Sequence, residues 1–153
     1  MYTSIAMSST FKLNLSKRVY ISPNSMTLNT NILVKDYLFE NYLYKLANDG
    51  YIKEIKNIDN VYLGEILQNG TIMYDVHFDA IVYKLNENDI VHACIKSVTS
   101  FGLYCSDKYG PENVSSLFVP GEHNYTESQE IKLKIKALRT KQNEYLCVCS
   151  IID

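Results

Sequence analysis

The chain has no tryptophan and only three prolines, six glycines and four cysteines in 153 residues. So little proline and glycine excludes collagen-like and low-complexity chains. With 46% hydrophobic and 21% charged residues, the sequence belongs among globular proteins. Its length suits one ordinary domain or two small ones. Positive charge is not in surplus either: 15 Lys and Arg face 17 Asp and Glu, for a formal net charge of −2. That excludes a uniformly basic nucleic-acid clamp and confines any RNA contact to one local, salt-sensitive face. No run of about eighteen apolar residues occurs, so no membrane helix and no membrane partner are expected. The opening MYTSIAMSSTF has neither a basic start nor an apolar run. It reads as a frayed end over residues 1–10, not as a secretory leader.

Chemistry is equally sparse. Cys94, Cys105, Cys147 and Cys149 include no C-x-x-C pair, and C-x-C on a strand only points two thiols the same way. They read as buried, reduced cysteines of an intracellular protein, with no metal expected. Phosphate loops, G-x-G-x-x-G, G-x-S-x-G and H-E-x-x-H are all missing. His77, His92 and His123 lie far apart with no nucleophile beside them. Asp75 and Asp79 share a strand face but read as solvated or structural carboxylates. No catalytic residue and no cofactor are expected; the chain is not an enzyme by itself.

What the sequence does contain is strand alternation around a single helix. Phe11–Ile21 alternates and then stops at Ser22-Pro23-Asn24-Ser25. A helix is predicted over Asn29–Asn48, with Thr30 and Asn31 as caps and Gly50 past its end. At 100° per residue it carries two apolar stripes. Ile32, Phe39, Tyr42, Leu43 and Leu46 form the one expected to be buried. Leu33, Tyr37 and Tyr44 form the other, which either packs in a groove of the helix's own domain or is a candidate protein surface. Strands follow at Tyr51–Ile58, Val61–Leu67 and Gly70–Lys84. Asn69-Gly70 predicts a two-residue hairpin, because both turn positions need positive φ. Loops at 57–60 and 68–70 would project as tips.

From about Leu85, five short strands at regular spacing predict a small barrel of the OB type: Ile90–Val98, Phe101–Cys105, Leu117–Val119, Ile131–Ala137 and Tyr145–Ile151. The fold class is therefore α+β, an N-terminal antiparallel sheet with one helix (1–84) followed by a five-stranded barrel (85–153). A glycine bulge at Gly102 is expected to turn Phe101 and Tyr104 outward together. In IKLKIKA the lysines Lys132, Lys134 and Lys136 face out, with Arg139 in the loop that follows. Outward aromatics with cations nearby suit a single-stranded RNA platform, with bases stacked on the rings.

Three blocks carry a resemblance to a known family. GTIMYDVHFDAIVYKLNENDIVHACIKSV resembles its domain-joining run. SFGLYCSDKYGPENVSSLFVP resembles its x-x-G-L-F strand, glycine-proline loop and return strand. IKLKIKALRTKQNEYLCVCSIID is similar to its closing hairpin. The family is the stalk subunit of multisubunit DNA-directed RNA polymerases, the seventh subunit of eukaryotes and E′ of archaea. The resemblance implies a tip domain joined to an OB domain of the S-one type, non-catalytic and docked on polymerase core subunits near the clamp. A fourth-subunit-like stalk partner is implied for cellular members, and nascent RNA as a weak ligand. In those terms, RNA would meet Phe101, Tyr104, Lys96, Lys132, Lys134 and Arg139. Protein contacts would use Leu33, Tyr37 and Tyr44 on the helix, with Asn57, Asp59, Asn60, Asn69 and Gly70 at the tips. Val119 stands where RNA-binding members often have histidine, which implies weak RNA contact. Thirteen tyrosines and heavy Asn, Ile and Lys usage are what an AT-rich genome produces. That points to a compact viral copy, working in a cytoplasmic factory or virion, or to an AT-rich eukaryote, working in the nucleus. The competing classes are a stand-alone OB-fold RNA-binding protein and a purely structural interaction module.

Overall fold

The computed structural model describes residues 3–4, 9–25, 29–59 and 64–152. Two long strands carry the first half. β2 (Thr10–Ile21) and β6 (Ile72–Tyr83) pair antiparallel throughout, from Thr10 opposite Tyr83 to Ile21 opposite Ile72. Around them stand β1 (Thr3–Ser4) on β2, then β4 (Gly50–Lys56) and β5 (Glu65–Ile66) on opposite ends of β6, with β3 (Leu46–Ala47) beyond β4. Alternation puts Leu15, Val19, Tyr74, Val76, Phe78 and Val82 on one buried face, under α1 (Thr30–Asn41). Lys17 lies on that face too, and its ammonium reaches Asp49 at 2.7 Å beside the Tyr42 ring.

The helix differs from its predicted span and face. Asn29 caps it by accepting from the Asn31 amide. It ends at Asn41, seven residues short of the predicted Asn48. The chain instead turns through Tyr44 at φ 60 and bonds to β4, Tyr44 N–H to Ile52 C=O and Ile52 N–H to Lys45 C=O. Backbone pairing to the sheet outweighs helix propensity there. Val34 and Leu38 form the buried face, while Ile32 (57%) and Phe39 (39%) from the stripe expected to be buried are exposed. The Asn69-Gly70 turn is also wider than two residues. Leu67 N–H donates to Thr71 C=O, and only Gly70 has positive φ, at 86°.

The second half is a closed barrel: β7 (Ile90–Val98), β8 (Gly102–Asp107), β9 (Ser115–Pro120), β10 (Glu130–Lys141) and β11 (Glu144–Ile151). Neighbours run β7-β8-β9-β11-β10 and back to β7, with β9 and β11 parallel. That is the OB order. Leu103, Leu117, Val119, Leu133 and Ile135 fill it, together with Tyr83 from the end of β6.

Tyr83 joins the halves. Its hydroxyl donates to Asp107 Oδ2 at 2.6 Å in a fully buried position, and its ring meets Tyr145 edge-on. Burial, reinforced by the Asp107 charge, pushes the phenol well above its ordinary range. Elsewhere along the joint, Lys84 N–H donates to Ser9 C=O, while Asn88 N–H and Asp89 C=O both bond Ile135. The Asn143 amide spans the gap, donating to Tyr44 C=O at 2.9 Å and accepting from Leu46 N–H.

Candidate interaction surfaces

Strand register assembles an apolar row on the outside of the barrel. Tyr104 on β8 lies opposite Phe118 on β9, Phe118 beside Val148 on β11, and Val148 opposite Ala137 on β10. The Tyr104 and Phe118 rings are 4.9 Å apart, and Tyr104 and Val148 are each 43% exposed. The second row reads Ser116, Leu146, Arg139. Between the rows lies a groove of about 290 Å³, lined by Phe118, Leu146, Val148, Ala137 and Arg139 among others.

The bulge that shapes this face is not at Gly102. One register shift falls at Lys96 on β7, opposite the Tyr104–Cys105 step, and another at Lys136 on β10. Gly102 has a different task. A Cβ there would meet Val119 O at 2.3 Å and the Phe118 ring at 2.6 Å, so its bare backbone lets β8 lie close against β9. Phe101 precedes it and is 79% exposed. Thr99 Oγ1 accepts the Phe101 and Gly102 amides, while Phe101 C=O accepts Gly121 N–H. The backbone is thus held on both sides while the ring stands in solvent.

The predicted RNA residues divide accordingly. Lys96 and Tyr104 line one open cleft of about 680 Å³. Arg139 is on β10 itself, not in a loop: the strand runs to Lys141 and turns at Gln142-Asn143, both with positive φ. Lys132 lies opposite His92 on β7, whereas Lys134 lies between Ile90 on β7 and Ser150 on β11, two residues along β11 from Val148 of the aromatic row. Phe118, Val148 and Leu146 escaped the reading of candidate sites. Their signal was available, since inward Leu117 and Val119 force Phe118 outward.

The predicted protein-contact stripe does not exist as a stripe. Leu33 and Tyr37 are half-buried against the sheet, Tyr37 between the Tyr20 and Tyr42 rings. Tyr44 is exposed but lies past the end of the helix. Helical projection fails for it because residues 42–48 are not helical. Among the tip residues, Asn57 donates to Asp79 Oδ2, and Asn14 donates to Oδ1 of the same carboxylate. These hydrogen bonds hold the Asp79 carboxyl below its usual pKa. Asp59 N–H donates to His77 C=O, and Asn69 Oδ1 accepts Thr71 N–H. Gly70 sits beside Pro23. Asn60 lies outside the described residues.

Among the described residues no group of three metal-ligating side chains comes together. Burial pushes Cys105 up to about 11 and Cys147 and Cys149 up to about 12, so these thiols stay protonated at neutral pH. No helix among the described residues is long and apolar enough to cross a membrane.

No family model matches the chain. It is similar to a curated protein of Dictyostelium discoideum, DNA-directed RNA polymerase II subunit rpb7. The two are 22% identical over 163 aligned residues, covering 92% of this chain and 94% of the relative.

Proposed function

We propose that this chain is a non-catalytic subunit of a DNA-directed RNA polymerase that forms a stalk on the core enzyme near the clamp and the RNA exit path. The observation that carries this reading is the extent of the similarity, which runs through the helix-bearing sheet as well as the barrel. A stand-alone OB protein would need no such first half. In this reading the sheet, through the loops at Asn57–Asp59 and Asn69–Gly70, is the end that docks on core subunits. The buried Tyr83–Asp107 pair fixes where the barrel points. A fourth-subunit-like partner would complete the stalk. The chain acts in the nucleus if cellular, or at a viral transcription site if viral.

The barrel's contribution is contact with emerging transcript and support of initiation. Tyr104 and Lys96, which line one cleft, would take one unpaired base and the exposed Phe101 ring another, each stack contributing about 1–3 kcal/mol. Lys132, on the β7 side of β10, would add long-range attraction, and Lys134 stands nearer, opposite Ser150 and two residues along β11 from Val148. One experiment tests both levels: affinity purification of the tagged chain after ultraviolet crosslinking. Large polymerase subunits should co-purify, and their absence would overturn the polymerase reading. RNA crosslinked to the wild type should fall at least fivefold in Phe101→Ala/Tyr104→Ala. Equal crosslinking would overturn the RNA contact while leaving the subunit assignment standing.

A further inference from the structure

The groove beside the aromatic row has its own chemistry. Its floor exists because of the shift at Lys136: Ile135 faces the barrel interior, and after the extra residue Leu138 turns inward opposite Cys147. Lys136 and Ala137 therefore both face out. A methyl group lies where a larger side chain would fill the space between Phe118, Val148 and Leu146. A cavity of about 150 Å³ holds benzene, so about 290 Å³ seats a side chain of Leu or Phe size. The walls are mainly aliphatic, and the one ring among them, Phe118, is already packed on Tyr104. At the rim stands a single guanidinium, Arg139, which enters no ion pair among the described residues.

We propose that this groove docks a short protein segment in which a bulky aliphatic residue is followed by a carboxylate, the side chain seated over Ala137 and the carboxylate paired with Arg139. Charge complementarity selects the acid, because an arginine fork matches a carboxylate in a bidentate pair. Mainly aliphatic walls, whose one ring is already packed on Tyr104, favour such a peptide over RNA, which needs open ring faces to stack on. The site adjoins the proposed transcript contact through the Tyr104 ring packed on Phe118, but none of Phe101, Tyr104 and Lys96 lines it, so the peptide and the oligouridylate test the two contacts separately.

The test is a titration of the isotope-labelled full chain, read by amide chemical shifts. The probes are acetyl-Gly-Leu-Asp-Gly-Gly amide, its Asn counterpart, its Lys counterpart, and an eight-nucleotide oligouridylate. The Leu-Asp peptide should move the Ala137, Arg139, Leu146 and Val148 signals, with the Asn peptide at least fivefold weaker. Ala137→Leu, which fills an exposed position, should abolish the shifts. Arg139→Glu should lose the Leu-Asp peptide and gain the Leu-Lys one. No shifts in the groove, equal response to the Asp and Asn peptides, or groove shifts from the oligouridylate alone would each overturn the proposal. If either variant misfolds, the Asp-against-Asn comparison on wild type still decides.

Discussion

A single buried hydroxyl links the strand that ends the sheet to the barrel. Tyr83 follows the inward run of β6 from Tyr74 to Val82 and breaks its alternation, so its ring enters the barrel core. Its fit is tight: a Cβ on Gly110 would lie 2.9 Å from the ring. The acceptor, Asp107, is itself held by the Tyr109 amide on Oδ1, and its own N–H donates to Ser115 Oγ. Tyr83→Phe keeps the ring and its packing while leaving Asp107 Oδ2 without that donor in a buried site. We therefore expect a loss of about 1–3 kcal/mol, the penalty of a buried acceptor left unpaired. In urea denaturation this should appear as a lower midpoint at unchanged slope. A midpoint equal to wild type would mean that water reaches the carboxylate and the pair contributes little.

At the level of elements, much was legible because most strands in this chain bury one face. IKLKIKA announced its inward Ile131, Leu133 and Ile135 and outward lysines, and a five-stranded barrel followed from strand count and spacing. Legibility failed where tertiary contacts set the local geometry. Nothing in ALRTK signals that the register slips at Lys136, so Arg139 read as loop although it is paired with Leu146. The helix overran to Asn48 because residues 42–47 satisfy helical periodicity equally well; only the partner strand β4 diverts them. The site was half readable: Phe101 and Tyr104 stood out by composition, but Phe118 became visible only through cross-strand register. Gly102 illustrates the same point. Read as a bulge, it is instead a place where β8 lies so near β9 that a Cβ would not fit, and its nearest obstacle is the Val119 carbonyl, not a movable ring. Gly102→Ala should cost about 1–3 kcal/mol, as overpacking does, and should displace the Tyr104 and Phe118 ring signals in a proton spectrum. A cost below about 0.5 kcal/mol, the scale of a neutral surface change, would show that the strands separate freely there.

For the molecule as a whole, the question is whether sheet and barrel move as one body, since a subunit that positions a barrel beside a partner needs a stiff joint. Two side-chain hydrogen-bonding ties cross the boundary, the Tyr83 pin and the Asn143 amide, beside the apolar packing of Leu46 and Tyr51 on the barrel core; the linker residues Asn88 and Asp89 are bonded to Ile135 within the barrel half. Asn143 sits at a hairpin tip with φ 68, which asparagine tolerates well. Its side chain pairs the Tyr44 carbonyl and Leu46 amide much as a neighbouring strand would. Because it is exposed, it is the first tie to open. Asn143→Gly preserves the positive φ and deletes only the amide. Hydrogen exchange at Leu46 should then accelerate about tenfold, corresponding to about 1.4 kcal/mol, while amides inside the barrel keep their rates. Residual dipolar couplings from both halves should still fit one alignment tensor, because the Tyr83 pin remains. In Asn143→Gly combined with Tyr83→Phe they should require two. A single tensor in the double variant would show that the packing of Leu46 and Tyr51 on the barrel core suffices, and that neither side chain sets the direction of the barrel.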